Sequence, residues 1–269
     1  MRTLTGAEYR RVQGLERGLS VLAALNRAAS GQATTRQLSE QTHLHRTTVR
    51  RLLETLLAQG YVRRSESDDT YRLTLKVRQL SEGFTDDEWI SAVAAPVLGE
   101  LLKTVLWPSD LTTLDGTAMV IRETTHRFSR LSFHRAMVGR RMPLLFTAAG
   151  RAYFAFCPDE ERAQLLRMLI AARDEQAAFA RNAQLVKRLV NRVRAAGFAA
   201  NDGDWKTESH VGAVAMPIRR GEAVLGCINI VYLRRAVTTV QAVEKYIPAL
   251  QRAVNKIESA VAERAIDLR

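Results

Sequence analysis

Apolar residues in the first third of the chain recur at helical spacing, and each run stops at a glycine or a short polar turn. Residues 12–29 place Leu15, Leu19, Leu22 and Leu25 on one stripe, with Val12 and Val21 alongside, and Ser30-Gly31 ends the pattern. Thr34 or Thr35 then caps a short helix running to Gln41, with Leu38 turned inward. After the turn Thr42-His43-Leu44 a longer helix runs from His45 to about Gln59, ended by Gly60. Its Val49, Leu52, Leu53, Leu56 and Leu57 repeat at i, i+3, i+4, i+7 and i+8, a stripe that docks on the two preceding helices. The signal then changes. Runs of β type at 61–64 and 70–73 flank the polar turn SESDD and predict a hairpin. Helix, helix, turn, helix, hairpin is the order of a winged helix-turn-helix, which assigns it to residues 1–73.

Residues 74–84 read as a linker helix ending near Gly83, and residues 85–269 as a second domain. That domain opens with an amphipathic helix from about Glu88 to Val105, bent or begun near Pro96. Strand-like runs follow at 110–115, 118–124 and 128–133, then helices at 148–156, 159–172 and 181–196. Two more strands, 211–219 and 223–233, turn on Arg220-Gly221, and a last helix spans 240–264. The whole is α+β, with helices packed on a mixed sheet.

Charge sharpens this division. The chain carries 40 Lys+Arg against 28 Asp+Glu, +12 in 269 residues, and residues 1–80 hold 14 against 7, so +7 of the excess sits in under a third of the length. A basic N-terminal part points to a polyanion partner, although a well-solvated basic face has the same composition. Cys157 and Cys227, both in apolar surroundings, read as reduced core residues. No stretch has the pattern of an export signal and none approaches 18 apolar residues, which predicts a cytoplasmic protein with no membrane partner.

The segment LHRTTVRRLLETLLAQG carries the candidate chemistry of the N-terminal part. With its leucine stripe buried, Arg46, Thr47, Arg50 and Arg51 are left on the other faces, His45 near the start and Thr48 beside them. Arg pairs bidentately with guanine, a Thr methyl meets a thymine methyl, and hydroxyls such as that of Thr35 hold phosphates. Arg63, Arg64 and Arg72 on the hairpin would follow the flanking backbone or enter the minor groove of double-stranded DNA. The competing interpretation is an exposed helix face on which these arginines are merely solvated or pair with Glu54.

RGLSVLAAL, QLSEQTHLHRTTVRRLLETLLAQGYV and YRLTLKVRQLSEGF resemble the N-terminal half of IclR-type transcriptional regulators. The resemblance continues through RRMPLLFTAAGRAYFAF, GFAANDGDW, AVAMPI and VLGCINIVY. It implies a GAF-like effector-binding domain after the linker, and a homodimer or dimer of dimers on a palindromic operator, with the helix at 12–29 supplying dimer contact. It also implies a transcriptional activator, one that can touch RNA polymerase, of an operon for aromatic acid breakdown. A repressor answering to another small organic acid is the alternative within the family.

By the same resemblance the effector lies in a cup on the C-terminal sheet. Leu131, Phe133 and Met142 give an apolar wall, Asn229 and Val231 come from the last strand, and Thr147, Ala148, Ala149 and Gly150 form a helix mouth whose N–H groups take a carboxylate. Arg130, Arg135, Arg140 and Arg141 crowd this region, and Arg135 is the choice for a carboxylate partner. Some acid-sensing members have a Cys and an Asp where this chain has Ala213 and a residue near Gly203, a loss of polar groups that favours a larger, aromatic carboxylate such as a hydroxylated phenylpropionate.

Motifs for catalysis are missing. His43 and His45 are two apart, Glu123-Thr-Thr-His126 lacks the second His of a metal motif, and there is no G-x-S-x-G, P-loop or G-x-G-x-x-G. No cofactor, metal or enzyme activity is expected. A ligand-binding or enzymatic α/β protein with a basic interaction domain stands as the reading from another class.

Overall fold

A computed structural model describes residues 12–28, 31–80, 90–132, 134, 136–172 and 174–267. The chain falls into two compact units, Met1–Thr85 and Asp86–Arg269.

In the first unit α1 (Gln13–Arg27) is followed by β1 (Gln32–Thr34), α2 (Thr35–Thr42), α3 (Arg46–Ala58), β2 (Val62–Arg64), β3 (Thr70–Leu73) and the single turn α4 (Lys76–Gln79). The leucine stripe of α3 behaves as its spacing requires. Val49 and Leu53 are fully buried, Leu52 and Leu56 pack half-buried beside them, and Leu57 at the edge is exposed. They meet Val21 and Leu25 of α1 and Leu38 of α2 in one small core. The other half of the α1 stripe does not join it: Val12, Leu15 and Leu19 are exposed. The hairpin gains a third strand that periodicity could not supply, because β1 has only three residues. It pairs antiparallel with β3, setting Ala33 opposite Tyr71, and both side chains are buried. Of the expected linker helix, only α4 falls within the described residues, and 81–84 lie outside them.

The second unit opens with a π-helical turn, Ile90–Ala94, leading into α5 (Ala95–Val105), where Pro96 sits in the first turn and its missing N–H costs nothing. Then come β4 (Ser109–Asp115), β5 (Ala118–Thr124), β6 (Arg141–Pro143), α6 (Ala148–Phe156), α7 (Asp159–Ala171), α8 (Glu175–Ala180), α9 (Ala183–Ala196), β7 (Ala199–Asp202), β8 (Val211–Arg220), β9 (Ala223–Leu233) and α10 (Thr239–Asp267). The strands form one antiparallel sheet in the order β6-β5-β4-β9-β8-β7. The strand expected at 128–133 is absent from its described part. Phe128 and Ser129 donate their N–H groups to the Thr125 carbonyl, so the chain turns there instead of pairing. Three short elements, β6, α8 and β7, were not foreseen.

Alternation along β8 and β9 sorts the sheet into two faces. Val214, Met216, Ile218, Ile228 and Ile230 pack with α5 and α10. Ala213, Ala215 and Cys227 face α6 and α9, joined by Met119, Ile121 and Met142. The small residues on this second face let α6 approach closely. A side chain at Gly150 would place its Cβ 2.1 Å from the Leu144 carbonyl oxygen, so only glycine fits. Both cysteines are unbridged and buried, and burial pushes the Cys157 thiol up to about 11. No described helix is long and apolar enough to cross a membrane.

Candidate DNA-reading surface and effector cavity

The turn between α2 and α3 is held from both sides. Thr34 caps α2 by accepting the Gln37 N–H at 3.3 Å, while the Gln37 side chain accepts the Thr34 N–H at 2.8 Å, a reciprocal capping box. Thr35 is therefore the first helical residue, and it is half-exposed. His43 closes α2 with φ 55°, and the Ser39 hydroxyl donates to the Leu44 carbonyl at 2.6 Å. His45 then caps α3, its Nδ1 accepting the Thr47 N–H at 3.4 Å with the Thr47 hydroxyl at 2.9 Å. A helix start fixed in this way presents its N–H groups and its first-turn side chains in one orientation.

From that start Arg46, Thr47, Arg50 and Arg51 are exposed and Thr48 is half-buried. Among the described residues no carboxylate lies within 4 Å of Arg46, Arg50, Arg51 or Arg63, and Glu54 pairs with none of them. The hairpin cations are less uniform than their spacing implied. Arg63 is exposed and unpaired among the described residues, whereas Arg64 donates from Nε to Asp69 at 2.8 Å, and Arg72 lies 3.9 Å from Asp68 with its Nε buried and without a partner. The α3 face is thus a cluster of hydrated, uncompensated cations around a capped helix start, which is chemically a polyanion-binding surface.

In the second unit a cavity opens on the α6 face of the sheet. Met142, Thr147, Ala148, Ala213, Asn229 and Val231, six of the residues expected at an effector site, line it. Three other expected residues are placed differently. Leu131 sits in an exposed turn, because the segment that was to be its strand does not pair. Ala149 and Gly150 are buried within α6 and off the cavity wall. The Gly150 N–H is already taken by the Thr147 hydroxyl at 3.2 Å, so of the helix-mouth N–H groups only those of Ala148 and Ala149 lack an intrahelical acceptor. Phe133 and Arg135 lie outside the described residues.

The cavity's chemistry comes largely from residues that the sequence did not single out. Asp110 and Asn229 occupy the α6 face of the sheet, where their neighbours are apolar, and both are buried. Asn229 Oδ1 accepts the Asp110 N–H at 2.8 Å, and the Thr124 hydroxyl donates to Asp110 Oδ1 at 2.7 Å. Arg140 bonds Glu208 and lies 5.0 Å over the Trp205 ring. Among the described residues it is thereby the cavity's arginine, whereas Arg141 pairs with Asp115 near the surface. Burial pushes the Glu208 carboxyl up, but the hydrogen bond and charge of Arg140, with His134 and His210 nearby, outweigh it and hold the group below the usual carboxylate range. Burial lowers His134, partly opposed by the Glu208 charge. Met137 and Val211 complete an apolar wall around these groups. The only early signal for Asp110 was a charged residue at the start of an otherwise strand-like run.

A basic helix-turn-helix unit joined to a unit with a mostly apolar cavity is the plan of a DNA-binding transcriptional regulator with an effector-binding domain, and the comparisons agree. Residues 14–66 match the IclR helix-turn-helix domain and residues 84–259 the bacterial transcriptional regulator IclR C-terminal domain. The chain belongs to the IclR family of transcriptional regulators. It is 27% identical over 240 residues to the Pca regulon regulatory protein of Pseudomonas putida, covering 88% of this chain and 79% of that one. The fold matches the IclR of Thermotoga maritima with a TM-score of 0.65 at 19% identity, covering 93% and 99% of the two chains. It also matches an IclR homologue of Microbacterium hydrocarbonoxydans complexed with 4-hydroxybenzoate, with a TM-score of 0.59 at 19% identity, over 91% of this chain and 98% of that one.

Proposed function

We propose that this regulator activates an operon for aromatic acid breakdown, with a hydroxylated phenylpropionate-like carboxylate as its effector. The observation that carries this is the composition of the cavity: walls of Met137, Met142, Trp205, Val211, Ala213 and Val231, interrupted by a few fixed polar groups. Such a site favours a ring over a small keto acid, which would leave most of the apolar wall uncovered. The likeness to a Pca regulon regulatory protein and the 4-hydroxybenzoate held by a fold neighbour support the same ligand class. Residues 1–73 act as the winged helix-turn-helix, 74–84 as linker and 85–269 as the effector domain. The carboxylate meets the start of α6 or Arg140. Exposed Val12, Leu15 and Leu19 on α1 support dimerisation through the first unit, which places two α3 helices on a palindromic operator. Effector binding shifts the balance toward the arrangement that engages RNA polymerase, by no more than its differential affinity for the two states.

Calorimetric titration of the full chain with 3-(3-hydroxyphenyl)propionate, with pyruvate and glyoxylate as controls, tests the ligand class. Micromolar binding of the aromatic acid alone supports it, and a response only to a keto acid overturns it. A reporter fused to the operator-bearing promoter tests the sign. Expression that needs both the regulator and the acid marks an activator, and expression that rises on deleting the regulator marks a repressor.

A further inference from the structure

The cavity contains two buried polar groups that the protein leaves half-satisfied. Asp110 is 1% exposed and His126 is 3% exposed, and both line the space. His126 Nε2 stands 3.6 Å from Asp110 Oδ1, too far for a hydrogen bond, and among the described residues it has no hydrogen-bond partner.

Ser132 assigns the ring's proton. Its hydroxyl oxygen lies 2.8 Å from the His134 carbonyl oxygen, which can only accept, and 2.6 Å from His126 Nδ1. The single hydroxyl proton goes to the carbonyl, so Nδ1–H donates to Ser132, and a ring carrying that one proton turns a bare lone pair on Nε2 toward the carboxylate. Two acceptors thus face each other out of water with no proton between them, an arrangement that is costly until a donor arrives. Asn229 adds the complementary group to the same cavity. Its carbonyl oxygen is spent on the Asp110 N–H at 2.8 Å, which leaves its amide NH2 as a donor.

We propose that Asp110 and His126 read a hydroxyl group on the effector, whose O–H donates into the gap between Asp110 Oδ1 and His126 Nε2. This rests on reading the cavity as an aromatic acid site, and it gives that site its specificity. A hydroxyl is the small neutral group that brings a donor to two acceptors. A second carboxylate or a keto oxygen would bring only further acceptors, and a bare ring edge would leave both groups unmatched.

The test is calorimetric titration of the full chain with 3-(3-hydroxyphenyl)propionate, 3-(4-hydroxyphenyl)propionate and 3-phenylpropionate. The better of the two phenols should bind about 10- to 100-fold more tightly than 3-phenylpropionate. In His126→Phe that preference should collapse to within about threefold, with 3-phenylpropionate binding at least as well as to the unaltered protein. The comparison of ligands on the unaltered protein needs no variant, so a misfolded His126→Phe does not remove the test, and Asp110→Asn supplies a second variant expected to weaken the preference. Equal binding of all three acids, or a preference that survives in a folded His126→Phe, overturns the hydroxyl assignment alone. No binding of any of them overturns the aromatic acid reading and this assignment with it.

Discussion

Arg50 and Arg51 stand in water on α3 with no carboxylate near them among the described residues, whereas Arg140 in the cavity is bonded to Glu208 and stacked over Trp205. The same contrast runs through both regions. The α3 face keeps its cations exposed and free, and the cavity buries Asp110 and Asn229 and bonds them to each other and to Thr124. The difference follows from the two kinds of ligand. A polyanion brings many charges and a counterion atmosphere, so a surface gains most by holding cations uncompensated until the polymer arrives. A small molecule brings few polar atoms, so a pocket discriminates by what is left unmatched when the wrong molecule enters.

The widest separation between the regions should appear in salt. If the two α3 helices of a dimer and their hairpins together contact six phosphates, raising salt from 50 to 200 mM lowers operator affinity by about 10³-fold. Binding of the proposed aromatic acid to the same protein should change by no more than about threefold, because a desolvated site is screened little. Electrophoretic retardation and calorimetry on one preparation measure both. Parallel loss of both affinities would break the contrast.

Packing gives the next separation. The first unit has one small core, and Leu53 lies at its centre, fully buried. Leu53→Ala should cost about 3 kcal/mol and bring forward the first transition in urea unfolding followed by circular dichroism. Operator binding should fall with it while the aromatic acid still binds, since the cavity belongs to the other unit.

The two regions also differ in how far their residues could be read in advance. The α3 face was legible because it is local: Val49, Leu52 and Leu53 repeat at the helical period, and whatever is left over must be exposed. The main strands β4, β5, β8 and β9 were legible for the same reason, with bounds close to those expected. The cavity is not local. Asp110 and Asn229 are far apart in sequence and meet only because β4 pairs with β9, while Glu208 and Trp205 arrive on the short 3-10 turn Lys206–Glu208 and its cap, too short for a period to show. β1 and β6, three residues each, were too short for any period to show. Leu131 was misread because apolar residues in 128–133 mimic a strand, yet Thr125 accepts the N–H groups of Phe128 and Ser129 and turns the chain.

Within the α3 unit, two arginines that look alike by exposure should separate by role. Arg50 is exposed on α3 beyond its capped start, and on the proposed reading of α3 as the major-groove helix its guanidinium pairs with a guanine edge. Arg50→Ala should weaken the operator complex by about 1–3 kcal/mol and relax selectivity at one base pair per half-site, seen by retardation across single-base operator variants. An equal loss on every sequence would reassign Arg50 to the backbone.

Arg63 makes the smaller and complementary case. It begins the outward part of the hairpin, exposed and unpaired among the described residues, while Arg64 beside it is already bonded to Asp69 and has less charge to offer a phosphate. Arg63→Ala should therefore lower affinity evenly across operator variants and make the slope of log K against log salt shallower by about 0.9 for each phosphate no longer neutralised. Arg64→Ala should change that slope less, because removing its side chain also frees Asp69, which would face the DNA as an uncompensated negative charge and weaken binding by repulsion, with the number of neutralised phosphates unchanged. If Arg64→Ala instead gave the larger change in slope, the Asp69 pair would have to open on DNA, and the rule that free cations mark the DNA-facing surface would fail at the hairpin while holding on α3.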